Sequence, residues 1–292
     1  MSTDETGIHN RIFYEKPLFP HLVRDKIMVS NPKKAGSGHL DYDRVSRDYD
    51  YSRRAGKETA QLLVKLLRPF TNAFVLDVGC GTGNFLVELA DLPAHLVGLD
   101  ISAGMLKEAG VKTSRVVLVR GDAVFMPFED EAFDAVYCIQ TLHHIPDKRR
   151  FMSEVYRILK NKGRFIIQSC SHKQLETFWF YHYFPRGLEV DKKRIPDFEE
   201  IQDLLIGAGF KRISIHLCPF EALFRETPEL YLDKRYRDGG STFSLLTPEE
   251  IEEGCNRIRH DTDSGRTMEI VAAFDQRAQV IGRVSFLRAT KL

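Results

Sequence analysis

No apolar run in this sequence exceeds the length of a strand, so a membrane-crossing helix, which needs about 20 such residues, is not expected. Charge of one sign is missing too. Forty-two basic residues stand against 41 acidic ones, and a balance of +1 gives no sequence-independent grip on nucleic acid or an anionic membrane. Cysteine is sparse: Cys80, Cys138, Cys170, Cys218 and Cys255 lie far apart with no C-x-x-C pair. An odd, scattered set makes neither a disulfide framework nor a zinc site, so no metal is expected. Reduced thiols used as small buried apolar residues fit a cytoplasmic protein. Met1 to Asn10 is polar and acidic, unlike a basic-then-apolar secretory leader. Internal repeats and low-complexity tracts are also lacking.

The 292 residues divide into three textures. Residues 1 to about 50 carry aromatics, prolines and a loop-like stretch from Asn31 to Gly38, without a sustained period. From about 52 to 170, apolar runs recur at Phe74–Val78, Leu96–Leu99, Val116–Val119, Phe133–Cys138 and Phe165–Ile167. Apolar on both faces and separated by helix-length segments, they predict the buried parallel sheet of a doubly wound α/β domain. Phe151, Val155, Ile158 and Leu159 mark one intervening helix by their spacing. Beyond 171 the pattern loosens. Phe198, Ile201, Leu204 and Leu205 predict a helix closed by Gly207 and Gly209, with a strand over Phe210–Leu217. Thr247-Pro248-Glu249-Glu250 predicts a helix start with a capping box. Val280–Leu287 is expected to be the last strand, which makes 221–277 an insertion.

In a doubly wound sheet the ligand lies at the carboxyl ends of the strands. There Val75-Leu76-Asp77-Val78-Gly79-Cys80-Gly81-Thr82-Gly83-Asn84-Phe85 runs from strand through alternate glycines into a helix. Such glycines let a ligand approach backbone that any Cβ would screen. A dinucleotide fingerprint, G-x-G-x-x-G, requires glycine at position 84, where this chain has asparagine. Asp77, inside the strand, would also oppose a phosphate, so a cationic or zwitterionic ligand fits better. Asp100 ends the next strand and can accept from two ribose hydroxyls. Asp122, after the third, can accept from an adenine amino group.

These segments, together with Leu159-Lys160-Asn161-Lys162-Gly163-Arg164, closely resemble the class I S-adenosylmethionine-dependent methyltransferases over about residues 41–170. The resemblance implies a Rossmann-like seven-stranded fold with an antiparallel last strand, here with an N-terminal helical extension or lid (1–50) and a methyltransferase domain (51–292). It implies S-adenosylmethionine as cofactor, S-adenosylhomocysteine as product, and methionine-end contacts at Asp77, Gly79, Cys80 and Gly81. Ribose would meet Asp100, and adenine would meet Ile101, Met105, Asp122 and Ala123, with Gln140 nearby. Tyr42 to Arg53 resembles a tyrosine-and-arginine segment that small-molecule members fold over the cofactor, with Tyr49 and Arg53 the candidates.

The sequence after the fourth strand, Gln140-Thr141-Leu142-His143-His144-Ile145-Pro146-Asp147, lacks the Asn/Asp-Pro-Pro-aromatic motif of many nitrogen methyltransferases. It resembles instead the quinone-biosynthesis and other small-molecule carbon or oxygen methyltransferases, and also some transfer-RNA enzymes. His144 or His143 is the candidate general base. Phe178-Trp179-Phe180-Tyr181-His182-Tyr183-Phe184, within a segment 171–200, is either core or an aromatic lid, in which Trp179 and Tyr183 would bind an apolar acceptor. Arg186, Lys192, Lys193 and Arg194 form either a solvated face or the seat of an acidic group on the substrate. An arsenite methyltransferase would need Cys138 and Cys170 to converge. The expected function is methyl transfer to carbon or oxygen of a small, partly apolar molecule by direct displacement. A transfer-RNA methyltransferase and an inactive cofactor-binding protein are the alternatives. No nucleic-acid partner is expected, and a homodimer is one assembly such a chain admits.

Overall fold

The computed structural model describes residues 41–47, 49–52, 55–68, 70–218 and 227–292. Residues 1–40 of the expected extension, and Arg53, lie outside them. Two short helices, α1 (Tyr42–Val45) and α2 (Tyr49–Ser52), and a longer α3 (Lys57–Leu67) precede the first strand. The strands are β1 (Ala73–Val78), β2 (Ala94–Asp100), β3 (Val117–Arg120), β4 (Phe133–Ile139), β5 (Leu159–Ser169), β6 (Lys211–Leu217) and β7 (Ser285–Thr290). They form a seven-stranded sheet in the order β3-β2-β1-β4-β5-β7-β6. β1 to β5 pair in parallel, and β7 lies antiparallel between β5 and β6. The expected seven-stranded fold is present.

Helices occupy the crossovers. α4 (Asn84–Glu88) follows β1, α5 (Ala103–Lys112) follows β2 and α6 (Lys148–Ile158) follows β4. Between β5 and β6 come α7 (His172–Leu175), α8 (Phe180–Tyr183), α9 (Pro185–Arg194) and α10 (Phe198–Gly207). Between β6 and β7 come α11 (Lys234–Asp238), α12 (Pro248–Asp263) and α13 (Thr267–Ile281). The capping box at Thr247 and Glu250 starts α12 as its sequence predicts.

Strand alternation divides the core. Leu76 and Val78 of β1, with Val136 and Cys138 of β4, point to one face, where they meet Phe151, Val155 and Ile158 of α6 and Ile201 and Leu205 of α10. Val75, Ala135 and Tyr137 point to the other, against Leu63, Leu66 and Leu67 of α3. Cys138 and Cys170 therefore belong to clusters on opposite faces, and the convergence needed for arsenite chemistry does not occur. All five thiols are buried and none forms a disulfide.

The expected last strand over Val280–Leu287 needs correction. Residues 280 and 281 end α13, Gly282 closes it at φ +73°, and the strand begins at Ser285. A helix end with exposed valine and isoleucine has the composition of a strand, which is why the apolar run misled. The insertion accordingly stays helical to residue 281 rather than ending at 277. A third cluster joins it to the aromatic segment: Trp179, Tyr183 and Phe184 pack with Tyr231, Tyr236, Phe243 and Ile258.

Gly254 of α12 is the tight point of that cluster, since a Cβ there would lie 2.2 Å from the Phe184 ring. Gly254→Ala is expected to lower stability in urea denaturation. Overpacking of about 1–3 kcal/mol outweighs a helix-propensity gain of about 1 kcal/mol.

Candidate active site

The sheet order reverses between β1 and β4, so their carboxyl ends flank a crevice. On the β1 side is the glycine turn. Gly79 has φ +72°, and a Cβ on it would meet Thr141 Cγ2 at 2.3 Å, so only glycine lets the turn pack on the loop after β4. At Gly81, φ +53°, an added Cβ would meet nothing within 4 Å; its backbone borders open space. The turn is fixed from below. Gly79 N and Cys80 N donate to Leu99 O, and Gly81 N donates to Asp100 Oδ2 at 2.8 Å. Asp100 Oδ1 accepts from Ser102 N at 2.9 Å, and Ser102 caps α5.

Asp77 lies in the same crevice, buried, and its Oδ1 has no hydrogen-bond partner. Burial pushes its carboxyl well above the ordinary range, the Tyr137 hydroxyl opposes this, and the charge of Asp100 adds to it. A buried acid with an unpartnered oxygen, beside open glycine backbone, suits a ligand bearing an ammonium group. Burial likewise keeps the Cys80 thiol protonated, raised further by Asp100 and Asp77. Asn84, the residue that breaks the dinucleotide spacing, accepts from Lys112 Nζ at 2.6 Å and donates to Asp50.

Across the crevice, Gln140 adopts φ +50°, a conformation uncommon for a residue with a side chain. It is followed by a 3-10 turn at Leu142–His144. His143 and His144 both border the cavity, their ring centroids 4.0 Å apart. His144 Nε2 is hydrogen-bonded to the Tyr42 hydroxyl at 2.8 Å. Tyr42 thereby fixes the orientation of that ring from the strap formed by α1 and α2.

Two aspartates fasten the strap. Asp43 Oδ1 accepts from Ser102 Oγ at 2.6 Å and Gly104 N at 2.8 Å, at the amino end of α5. Asp50 accepts from Thr82 and Asn84 and pairs with Lys112. Ser102 holds the Asp43 carboxyl below its ordinary range against burial, with help from Gly104 and Arg120. Burial acts upward on Asp50 but is outweighed by Lys112, Thr82 and Asn84.

The cavity between these parts is about 270 Å³. Of the residues named from sequence as cofactor contacts, Asp77, Gly79, Cys80, Gly81, Gln140 and Tyr49 border it. Trp179 borders its far end with Phe180, Tyr231 and Phe243. Other candidates lie elsewhere. Asp100 sits beneath the turn, Met105 is buried in α5, and Ile101 is exposed. Asp122 is exposed and accepts from Val124 N, while Ala123 packs against the core. Tyr183 is fully buried in the third cluster and does not reach the cavity. Tyr42, Asp43, Asp50 and the buried trio Tyr181–Asp191–Thr242 escaped sequence reasoning. Their roles come from contacts across 10 to 102 positions, for which local patterns carry no signal.

Residues 76–167 match the family model of the methyltransferase domain. A demethylmenaquinone methyltransferase of Lactiplantibacillus plantarum is 37% identical over 125 residues, covering 39% of this chain and 53% of that protein. The sterol 4-C-methyltransferase strm-1 of Caenorhabditis elegans is 36% identical over 102 residues, covering 33% of this chain and 30% of that one. The match thus spans about half of the first relative and less of the second. The crystal structure of a protein described as a methyltransferase from an antibiotic biosynthesis pathway of Anabaena variabilis superposes with a TM-score of 0.67. It is 23% identical, and the match covers 82% of this chain and 99% of that one. The seven-stranded fold is the one shared with that structure. Residues 76–167 of this chain form a methyltransferase domain. Among the described residues, no helix is long and apolar enough to cross a membrane.

Because both strap carboxyls are held low in the folded state, their stabilisation is complete above the ordinary carboxylate value of about 4. It is lost as pH falls through their lowered values. Amides of residues 42–52 are expected to lose hydrogen-exchange protection in acid before those of β1 and β4. Asp50→Asn should reproduce the loosening at neutral pH; a strap that stays protected in both tests would show that other contacts hold it.

Proposed function

We propose that this protein transfers a methyl group from S-adenosylmethionine to carbon or oxygen of a small, partly apolar molecule. One observation carries the reading: a continuous cavity joins the unpartnered Asp77 oxygen and the open Gly81 backbone to a chamber bordered by Trp179, Phe180, Tyr231 and Phe243. The names of the demethylmenaquinone and sterol relatives point to apolar acceptors, which supports an apolar one here.

Asp77 would hold the ammonium group of the cofactor, and the backbone of Gly79 to Gly81 would lie along its methionine end. Asp100 keeps lone pairs beyond its two backbone bonds for the ribose hydroxyls. Ile101, Met105, Asp122 and Ala123 are the adenine-side candidates, and Tyr49 and Gln140 flank the middle. When bound, S-adenosylmethionine supplies an electrophilic methyl group on a sulfonium whose leaving group is a neutral thioether. The protein's own contribution is chiefly positional. The aromatic chamber excludes water and fixes the acceptor in line, a source of rate that needs no base. His143 or His144 takes the proton that a hydroxyl or activated carbon releases as the new bond forms. Five buried thiols, none in a disulfide, support a reducing, cytoplasmic setting. The net charge of +1 supports a small-molecule acceptor over nucleic acid. A homodimer belongs to the same proposal, to be tested by light scattering.

Calorimetric titration with S-adenosylmethionine and with S-adenosylhomocysteine should give micromolar binding; a folded protein that binds neither would sink the reading. Asp77→Asn is expected to raise the thermal stability of the ligand-free protein, because the charge of a buried carboxyl with an unpartnered oxygen is removed. The same change should weaken cofactor binding about tenfold or more through loss of a charge-assisted hydrogen bond. Trp179→Ala should leave cofactor affinity within about twofold while impairing acceptor turnover. Equal loss of both would make the ring a general packing element.

A further inference from the structure

Of the four cations clustered after the aromatic segment, two are spent on surface pairs. Arg186 pairs with Glu189, and Lys192 donates to Glu176 at 2.5 Å. Arg194, the last residue of α9, is different. Its side chain is only 18% exposed, and it lies in the wall shared by the cavity and an open groove of about 620 Å³ on the outside.

The guanidinium is held in a fixed orientation. Nε donates to Asp191 Oδ1 at 2.6 Å, and Nη2 donates to Thr242 Oγ1 at 3.3 Å. Asp191 is buried and accepts three bonds in all, since its Oδ2 also accepts from Tyr181 at 2.6 Å and from Thr242 at 2.8 Å. Nη1 of Arg194 donates to no group among the described residues. A planar fork fixed on one edge and open on the other, at a cavity wall, is suited to carboxylate or phosphate.

The groove beyond it strengthens the case. Lys148, Arg149 and Lys193 border it with Arg194, against the acids Asp147 and Glu200. Asp147 is occupied in capping α6, where it accepts from Arg150 N at 2.9 Å. Lys148 Nζ donates to Ile145 O at 3.0 Å, which fastens this cationic edge to the loop that carries His143 and His144. Arg149 and Lys193 are exposed.

We propose that the methyl acceptor carries an anionic group, a carboxylate or phosphate, that docks on Arg194 with Lys193 and Arg149 behind it. Its apolar part then lies among Trp179, Phe180 and Tyr231. This rests on the methyltransferase reading, and the experiment separates the two. Binding of S-adenosylhomocysteine is measured first, and its absence counts against the reaction itself. On the S-adenosylhomocysteine-saturated protein, calorimetry then compares 4-hydroxybenzoate, 4-hydroxyphenyl phosphate and the neutral 4-hydroxybenzamide. At least one anion is expected to bind about tenfold or more tightly than the amide, and the tighter of the two identifies the group. That preference should vanish in Arg194→Gln and weaken with added salt.

Arg194→Gln also strips a partner from Asp191, so an exposed double variant, Arg149→Gln with Lys193→Gln, provides a second reading. It should lower anion affinity severalfold without moving the melting temperature. Equal binding of anion and amide would overturn the proposal. So would a preference that persists in a folded Arg194→Gln protein, or in the double variant at unchanged strength.

Discussion

The carboxylate of Asp100 is the joint on which the shape of the glycine turn and its crevice depends. One oxygen receives Gly81 N from the turn after β1, and the other receives Ser102 N at the start of α5. The turn after β1, the end of β2 and the start of α5 thereby acquire one geometry. Without that joint, a turn whose glycines hold left-handed dihedrals would have wide conformational freedom, and the open edge of Gly81 would not be held toward the cavity. Burial raises the Asp100 carboxyl while the backbone N–H groups pull it back, so the same bonds that shape the turn also favour the ionised form.

The strap repeats this device from the outside. Asp43 sits at the amino end of α5, and Asp50 reaches Thr82, Asn84 and Lys112. Two carboxylates clasp α5 and the crevice wall at Thr82 and Asn84, and Tyr42 extends the clasp to His144. A segment of two one-turn helices could not hold such a position by helix propensity alone. Its order comes from tertiary bonds made mainly through acidic side chains, which ties the cover of the cavity to pH.

The insertion between β6 and β7 supplies Tyr231 and Phe243 to the aromatic lining of the cavity. Its rings pack on the aromatic segment after β5: Trp179 meets Tyr231 edge-on at 5.3 Å, and Phe184 meets Phe243 at 4.9 Å. Such edge-to-face contacts add specific geometry to a large apolar burial. The aromatic stretch serves as both core and lining. Tyr183 and Phe184 are buried within the cluster, while Trp179 and Phe180 also face the cavity. Core packing and cavity lining thus fall to neighbouring residues one helical turn apart.

Local chemistry determined the sheet, the crossovers and the glycine turn, because strand alternation and left-handed dihedrals leave a short-range trace in residue type. Asp77, Gly79 and Gly81 were legible for that reason, and so was the departure at Asn84 from a dinucleotide site. Val280 and Ile281 were misread as strand because an exposed helix end and a buried strand can share the same few residues. Tertiary structure alone decided that Asp100 lies beneath the turn, that Tyr42 reaches His144, and that Cys138 and Cys170 face opposite ways. It alone singled out Arg194 from its neighbouring cations. The physical reason is the same in each case. A side chain's role here depends on partners brought in from distant segments, and one sequence records the donors and acceptors but not which of them meet.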